Sequence, residues 1–213
     1  MTYRLSPHLR YCLFASASIF LDVDRARYFL LQDRADARFR RFLEQSADAA
    51  DFHWLIARNI ITEGCDDPTL HNPKVPAPTS GLENHPSLSA DVVSTIRAIA
   101  AQITARRMLR RLPFAEILKP GWSTAQRVAQ DQNHQVSLVT AAFQRARHFV
   151  PAKDQCLVRS IAMKKVLASH GCHVDLVIGV ALPFSAHAWV QSGDTILTDP
   201  LDLVEPYKPI LVV

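Results

Sequence analysis

The sequence predicts an α+β protein of two domains, and three observations carry that reading. Short aromatic and β-branched runs followed by two helical patterns fill residues 1–65; a proline-rich stretch covers 66–90; and residues 91–213 set helical patterns beside strand-like runs near the C-terminus. No internal repeat is apparent, which argues against a solenoid.

The N-terminal elements follow from local chemistry. Tyr11-Cys12-Leu13-Phe14-Ala15, Ser18-Ile19-Phe20-Leu21-Asp22 and Arg27-Tyr28-Phe29-Leu30-Leu31 alternate with turn-like segments and predict a small antiparallel meander. A helix over about Asp33–Gln45 would place Ala35, Phe39, Phe42 and Leu43 on one stripe, and a second over about Ala47–Asn59 would use Phe52, Leu55 and Ile56. The segment Asp66–Ala90, with Pro68, Pro73, Pro76, Pro78 and Pro86, reads as a solvent-exposed linker stiffened by proline. Val92, Ile96, Ile99, Ile103 and Leu109 then predict a helix from Asp91 to about Leu112, capped by Ser89 or Asp91 and ended by Pro113. Another helix is expected from Gln135 or earlier to Phe149.

The residues that carry chemistry lie in the last quarter. Cys156 opens a helix-like run through Leu167 among polar neighbours Asp154, Gln155, Arg159 and Ser160, and a helix N-terminus favours thiolate over thiol. His187 sits in the strand-like Ala186–Val190, and Asp199 closes Thr195–Asp199. A three-residue loop at Ser192-Gly193-Asp194 would pair Gln191 with Thr195, Trp189 with Leu197 and His187 with Asp199, putting imidazole and carboxylate on one face. A two-residue loop would place Asp199 opposite Ala186, on the other face. A carboxylate so placed orients an imidazole, which can deprotonate a thiol packed over it. The backbone N–H of Cys156 is a natural oxyanion donor, with Gln155 and Trp189 as candidates for the second. Trp189 could instead be a core residue. Cys12, Cys65 and Cys172 read as small buried hydrophobes.

These motifs, C-L-V-R-S, H-G-C-H-V-D-L-V-I-G-V, F-S-A-H-A-W-V and I-L-T-D-P, resemble the transglutaminase-like cysteine peptidase of lasso-peptide biosynthesis, the B protein, over roughly residues 140–205. The resemblance implies a transglutaminase/papain-like peptidase domain over 91–213 with Cys156, His187 and Asp199 as its triad. It also implies leader removal from a ribosomally made precursor, and a partner cyclase of the asparagine-synthetase type that uses ATP to close the macrolactam ring. No intrinsic cofactor or metal is implied, although ATP dependence through that partner would be compatible with it. The N-terminal β-β-β-α-α order similarly resembles the winged-helix-like leader-recognition module of peptide-maturation enzymes, which captures the leader as an added strand. Tyr28, Phe29, Leu30 and Leu31 would form that edge. Two other classes stand beside the peptidase: a transglutaminase-type acyl-transferase, and a non-catalytic carrier that delivers the precursor.

Charge and composition bound these readings. Residues 1–65 carry nine Lys or Arg against eight Asp or Glu, whereas a duplex-binding winged helix concentrates positive charge, so no nucleic-acid partner is expected. Arg106, Arg107, Arg110 and Arg111 would lie on adjacent helical turns, as a solvated face or as a docking surface for an acidic partner. No stretch approaches the ~20 apolar residues of a membrane span, and no signal-peptide pattern opens the chain, so a cytoplasmic enzyme is expected. Four scattered cysteines without a C-x-x-C pair argue against a zinc site, and a reducing compartment would keep Cys156 a thiol.

Overall fold

The computed structural model describes residues 2–64, 75–84, 90–119, 132–150 and 155–213. Cys65, Ser89 and Asp154 lie outside the described residues, as do 66–74 and 85–89 of the proline-rich stretch. The chain is α+β and divides into two compact units, residues 1–73 and 74–213. No helix among the described residues is long and apolar enough to cross a membrane.

In the first unit, β1 (Tyr3–Leu5), β2 (Leu9–Leu13), β3 (Ala17–Asp22) and β4 (Arg27–Gln32) precede α1 (Asp33–Leu43), α2 (Ala49–Ala57) and β5 (Ile61–Glu63). Strands β2, β3 and β4 form an antiparallel meander, while β1 and β5 make a separate antiparallel pair. That second pair was not legible in the sequence, because three-residue strands are too short to show a period of two. The core is aromatic: Phe20 stacks on Phe29 at 4.8 Å and meets Phe39 edge-on at 4.7 Å. Each such pair adds about 0.5–1.5 kcal/mol beyond its burial. Asp48 begins α2 with a reciprocal capping box to Asp51, and Arg41 of α1 grips the Asp51 carboxylate through two 2.6 Å hydrogen bonds.

The second unit contains α3 (Val92–Arg111), α4 (Phe114–Leu118), α5 (Gln132–Ala146) and α6 (Cys156–Ser169). It continues with β6 (Asp175–Ala181), β7 (Ser185–Ser192), β8 (Thr195–Ile196), α7 (Leu201–Val204) and β9 (Lys208–Val212). The strands form one antiparallel sheet in the order β8-β7-β6-β9. Helix α6 packs on β7 and also against α3 and α5. This central position explains why it buries Val158, Ile161, Ala162, Met163 and Leu167 around most of its circumference.

The structure revises three expectations. The loop between β7 and β8 has two residues, Gly193 and Asp194, with Ser192 paired to Thr195 and Gln191 to Ile196. Gly193, at φ +60°, occupies the first central position, where a primed hairpin turn requires a positive φ. Continued unchanged, this register would set Asp199 opposite Ala188, neither His187 nor Ala186.

The stretch read as a solvent-exposed linker is, over 75–84, a strap fastened to the second unit. Thr79 N–H donates to Asp194 O, Ile196 N–H to Ser80 O and Leu82 N–H to Asp199 O, and Val75 packs beside Trp189 and Ile196. Proline-rich backbone is extended and retains its carbonyl acceptors, so it suits lying along a sheet edge.

Helix α3 is capped by Asp91, whose carboxylate accepts from Ser94 N–H at 2.7 Å, but it packs through a face turned by about 100° from the one expected. Thr95, Ala98, Gln102 and Ala105 are buried, whereas Val92, Ile96 and Ile103 are 60%, 59% and 47% exposed and Ile99 and Leu109 are half-buried. Small residues permit close helix–helix approach, and Gln102 satisfies its amide on Ala98 O at 3.3 Å.

Candidate active site

The site lies where α6 meets β7. Cys156 is the first residue of α6, and one turn later Ser160 Oγ, fully buried, donates to the Ala188 carbonyl at 2.9 Å. That bond joins the helix bearing Cys156 to the strand bearing His187. Opposite His187 in the ladder is Gly179, where an added Cβ would stand 2.7 Å from Trp189 and 2.9 Å from Tyr207. The missing side chain lets both rings close around the imidazole: Tyr207 lies 5.4 Å from it and Trp189 6.4 Å, nearly parallel.

Asp199 reaches the imidazole by leaving the ladder. Pairing stops at Ile196, and the chain bends through Leu197 to Asp199. Leu197 N–H donates to Val190 O, and Val190 N–H donates to Thr198 Oγ1 at 3.1 Å. The bend brings Asp199 Oδ2 to 3.3 Å from His187 Nε2, an ion-pair distance without hydrogen-bond alignment. With Nε2 turned to the carboxylate, Nδ1 is the nitrogen left for the thiol.

Electrostatics couple the three groups. Burial pushes the Cys156 thiol up, but hydrogen bonding to His187 and the backbone N–H groups of Ala188 and Leu157 bring it below its ordinary value. Burial disfavours the His187 cation, yet Asp199 and Cys156 together push it up to about 9. Burial likewise acts against ionised Asp199, and His187, Thr198 and Arg147 hold it below the usual carboxylate range. The favoured state is therefore a thiolate–imidazolium pair backed by a carboxylate, an arrangement capable of nucleophilic attack on an acyl carbon.

A model of the transglutaminase-like superfamily matches residues 99–212, more than half of the sequence and all three of these residues. The chain belongs to the transglutaminase-like superfamily. The microcin J25-processing protein McjB of Escherichia coli is similar to this superfamily member, at 42% identity over 48 residues, which are 22% of this chain and 23% of that protein. The match thus spans under a quarter of that relative's length. No solved structure matches the chain.

The remaining candidates separate. Trp189 is 1% exposed and its indole N–H donates to Gln191 Oε1 at 3.1 Å, so it is a core residue with no donor to offer an oxyanion. Gln155 is buried just before Cys156, and its side chain makes no capping bond to α6. Tyr28, Phe29, Leu30 and Leu31 lie in β4, an outer strand of the first unit's meander. Around the site, sequence reading did not single out Arg147, Thr198, Tyr207 or Gly179 for any role: Arg147, Tyr207 and Gly179 act through contacts distant in sequence, and Thr198, although next to Asp199, is placed by its bond from Val190 N–H. Ser160 was accessible to it, since i and i+4 share a helix face.

Proposed function

We propose that this protein is a cysteine peptidase that removes the leader from a ribosomally made lasso precursor, with Cys156 as nucleophile, His187 as acid and base, and Asp199 as the group that orients His187. The observation that carries the proposal is the Cys156–His187–Asp199 arrangement at the start of α6. The likeness to the microcin J25-processing protein supports the choice of substrate class. Thiolate Sγ attacks the leader–core carbonyl carbon, and the oxyanion is met by Cys156 N–H and the Gln155 amide. Imidazolium gives its proton to the departing core amine as the C–N bond breaks, leaving a leader thioester. Water, deprotonated by His187, then attacks the thioester, releasing the leader acid and restoring the thiolate.

The first unit supplies recognition in this proposal. Its β-β-β-α-α portion, winged-helix-like in element order, binds the leader as a strand added to β4 along Tyr28–Leu31, where backbone bonds give affinity and side-chain pockets give selectivity. The freed core amine passes to an asparagine-synthetase-like cyclase, through which any dependence on ATP enters. In this proposal the reaction takes place in the cytoplasm.

A short precursor frame and a cyclase-like frame beside this one would identify the substrate, and mass spectrometry of that precursor tests the reaction. The expected products are a leader acid and a core with a free amine, lost in Cys156→Ala. A product lacking only the mass of ammonia would show acyl transfer to an amine. Binding without cleavage would show a carrier. Replacing Tyr28 and Leu30 together by Ala should weaken leader binding in calorimetry while Cys156 stays reactive; unchanged leader binding alongside duplex DNA binding would overturn the recognition role.

A further inference from the structure

We infer that Arg147 is a positioning residue for Asp199: from the end of α5 its guanidinium holds the Thr198 carbonyl and Asp199 Oδ1, leaving Oδ2 turned to His187. The need for such a residue follows from the sheet. The last backbone bond of the hairpin is Leu197 N–H to Val190 O, so no ladder bond reaches Asp199; Leu82 N–H holds its carbonyl, and its carboxylate is left to be aimed by side chains. Arg147 Nη2 donates to the Thr198 carbonyl and lies 3.3 Å from Asp199 Oδ1. One terminal nitrogen, Nη2, thereby joins the backbone of the bend to the carboxylate it carries, held in place by a planar, always-charged guanidinium.

Arg159, on the same helix as Cys156, does not duplicate this role. Its Nη1 is 3.9 Å from Oδ1, beyond hydrogen-bond length, and its buried Nε has no hydrogen-bond partner. It contributes charge without alignment. Among the described residues, Asp199 is thus faced by Arg147 after α5, by Arg159 from α6, by His187 from β7, and by the Thr198 hydroxyl. His187 in turn is faced by Cys156 and Tyr207.

The two forces that Arg147 exerts on His187 have opposite signs, and this makes the inference testable. As a nearby cation that draws on Asp199, it opposes protonation of the imidazole. As the group that aims Oδ2, it favours protonation. If aiming dominates, losing Arg147 lowers the His187 pKa; if charge dominates, losing it raises that pKa.

The inference rests on the proposed function only in its kinetic arm. Titration of the His187 imidazole by NMR in the full chain needs no substrate and should give a midpoint near 9 in the parent protein. Arg147→Ala should lower that midpoint by at least about one unit, a tenfold change in the imidazolium fraction ratio. Arg147→Lys, which keeps the charge on a shorter side chain that does not reproduce the position of Nη2, should lower it by less and guards against an unfolded Ala variant. With the precursor, kcat should fall at least about tenfold while KM changes less than about twofold. A midpoint that is unchanged in a folded variant, with only Tm reduced, would show structural glue and overturn the inference. A raised midpoint would overturn it too, by showing that Arg147 only competes for Asp199. If instead the precursor is never cleaved but the midpoint falls as expected, the proposed function fails and the positioning role stands.

Discussion

Ser160 Oγ donates to the Ala188 carbonyl at 2.9 Å, joining α6 one turn beyond Cys156 to β7 one residue beyond His187. The distance between nucleophile and imidazole therefore depends on a bond made by neither. Ser160→Ala removes the buried donor with little change of volume and should cost about 1–2 kcal/mol of stability. Iodoacetamide should also alkylate Cys156 more slowly at neutral pH in that variant, as the thiol drifts from His187. Denaturant melts and alkylation rates measure the two effects separately, and a stability loss with an unchanged rate would show that the bond does not set the pair.

The thiolate–imidazolium pair sets a pH window. Cys156 lies below its ordinary pKa and His187 is pushed up to about 9, so the pair persists between the lowered thiol pKa and that upper limit. Cleavage should fall as pH rises through about 9, where the imidazolium acid is lost. At neutral pH, Cys156 should react with iodoacetamide faster than buried Cys12, and faster than Cys172, which burial pushes up. The stability linkage has the same sign. A His raised in the folded state contributes fully below its unfolded value of 6.5, and that contribution disappears as pH rises through about 9. Comparing denaturant midpoints of the parent and His187→Gln across this range tests it.

Asp199→Asn should preserve the fold and reduce turnover by about two or more orders of magnitude, with a smaller effect on precursor affinity, because the amide cannot stabilise the imidazolium. Asp194 and Asp202 are controls. Asp194 is exposed in the hairpin loop and accepts from Thr79 Oγ1 at 2.6 Å, an acceptor role that Asn retains, and Asp202 is exposed on α7. Their Asn variants should stay near parental activity; a crippled Asp202→Asn beside an active Asp199→Asn would assign the wrong carboxylate.

The turned face of α3 makes a stability prediction. Ile96→Gln and Ile103→Gln should each change stability by no more than about 0.5 kcal/mol, since both side chains are exposed. Ala98→Leu on the buried face should cost about 1–3 kcal/mol by overpacking. Chemical denaturation checks both, and a large loss at Ile96 would mean that the outer face is covered.

Local chemistry in the sequence determined most of the elements. Alternating aromatic runs specified the meander of β2, β3 and β4; Asp91 before an apolar-periodic run marked the start of α3; and Cys156 at a helix start, with His187 in a strand, was legible because each depends on near neighbours. Tertiary structure decided what depends on distant ones. Periodicity put the larger apolar residues of α3 on one stripe, but the buried stripe is turned away from it, because α3 packs on α5 and α6 through small residues that permit close approach. Strand counting related His187 to Asp199 through a three-residue loop, whereas the loop has two and the contact arises from a bend outside the ladder. No spacing rule anticipates that bend, since its anchors, Arg147 and Leu82, are far from Asp199 along the chain and meet it only after α5 and the 75–84 strap have packed.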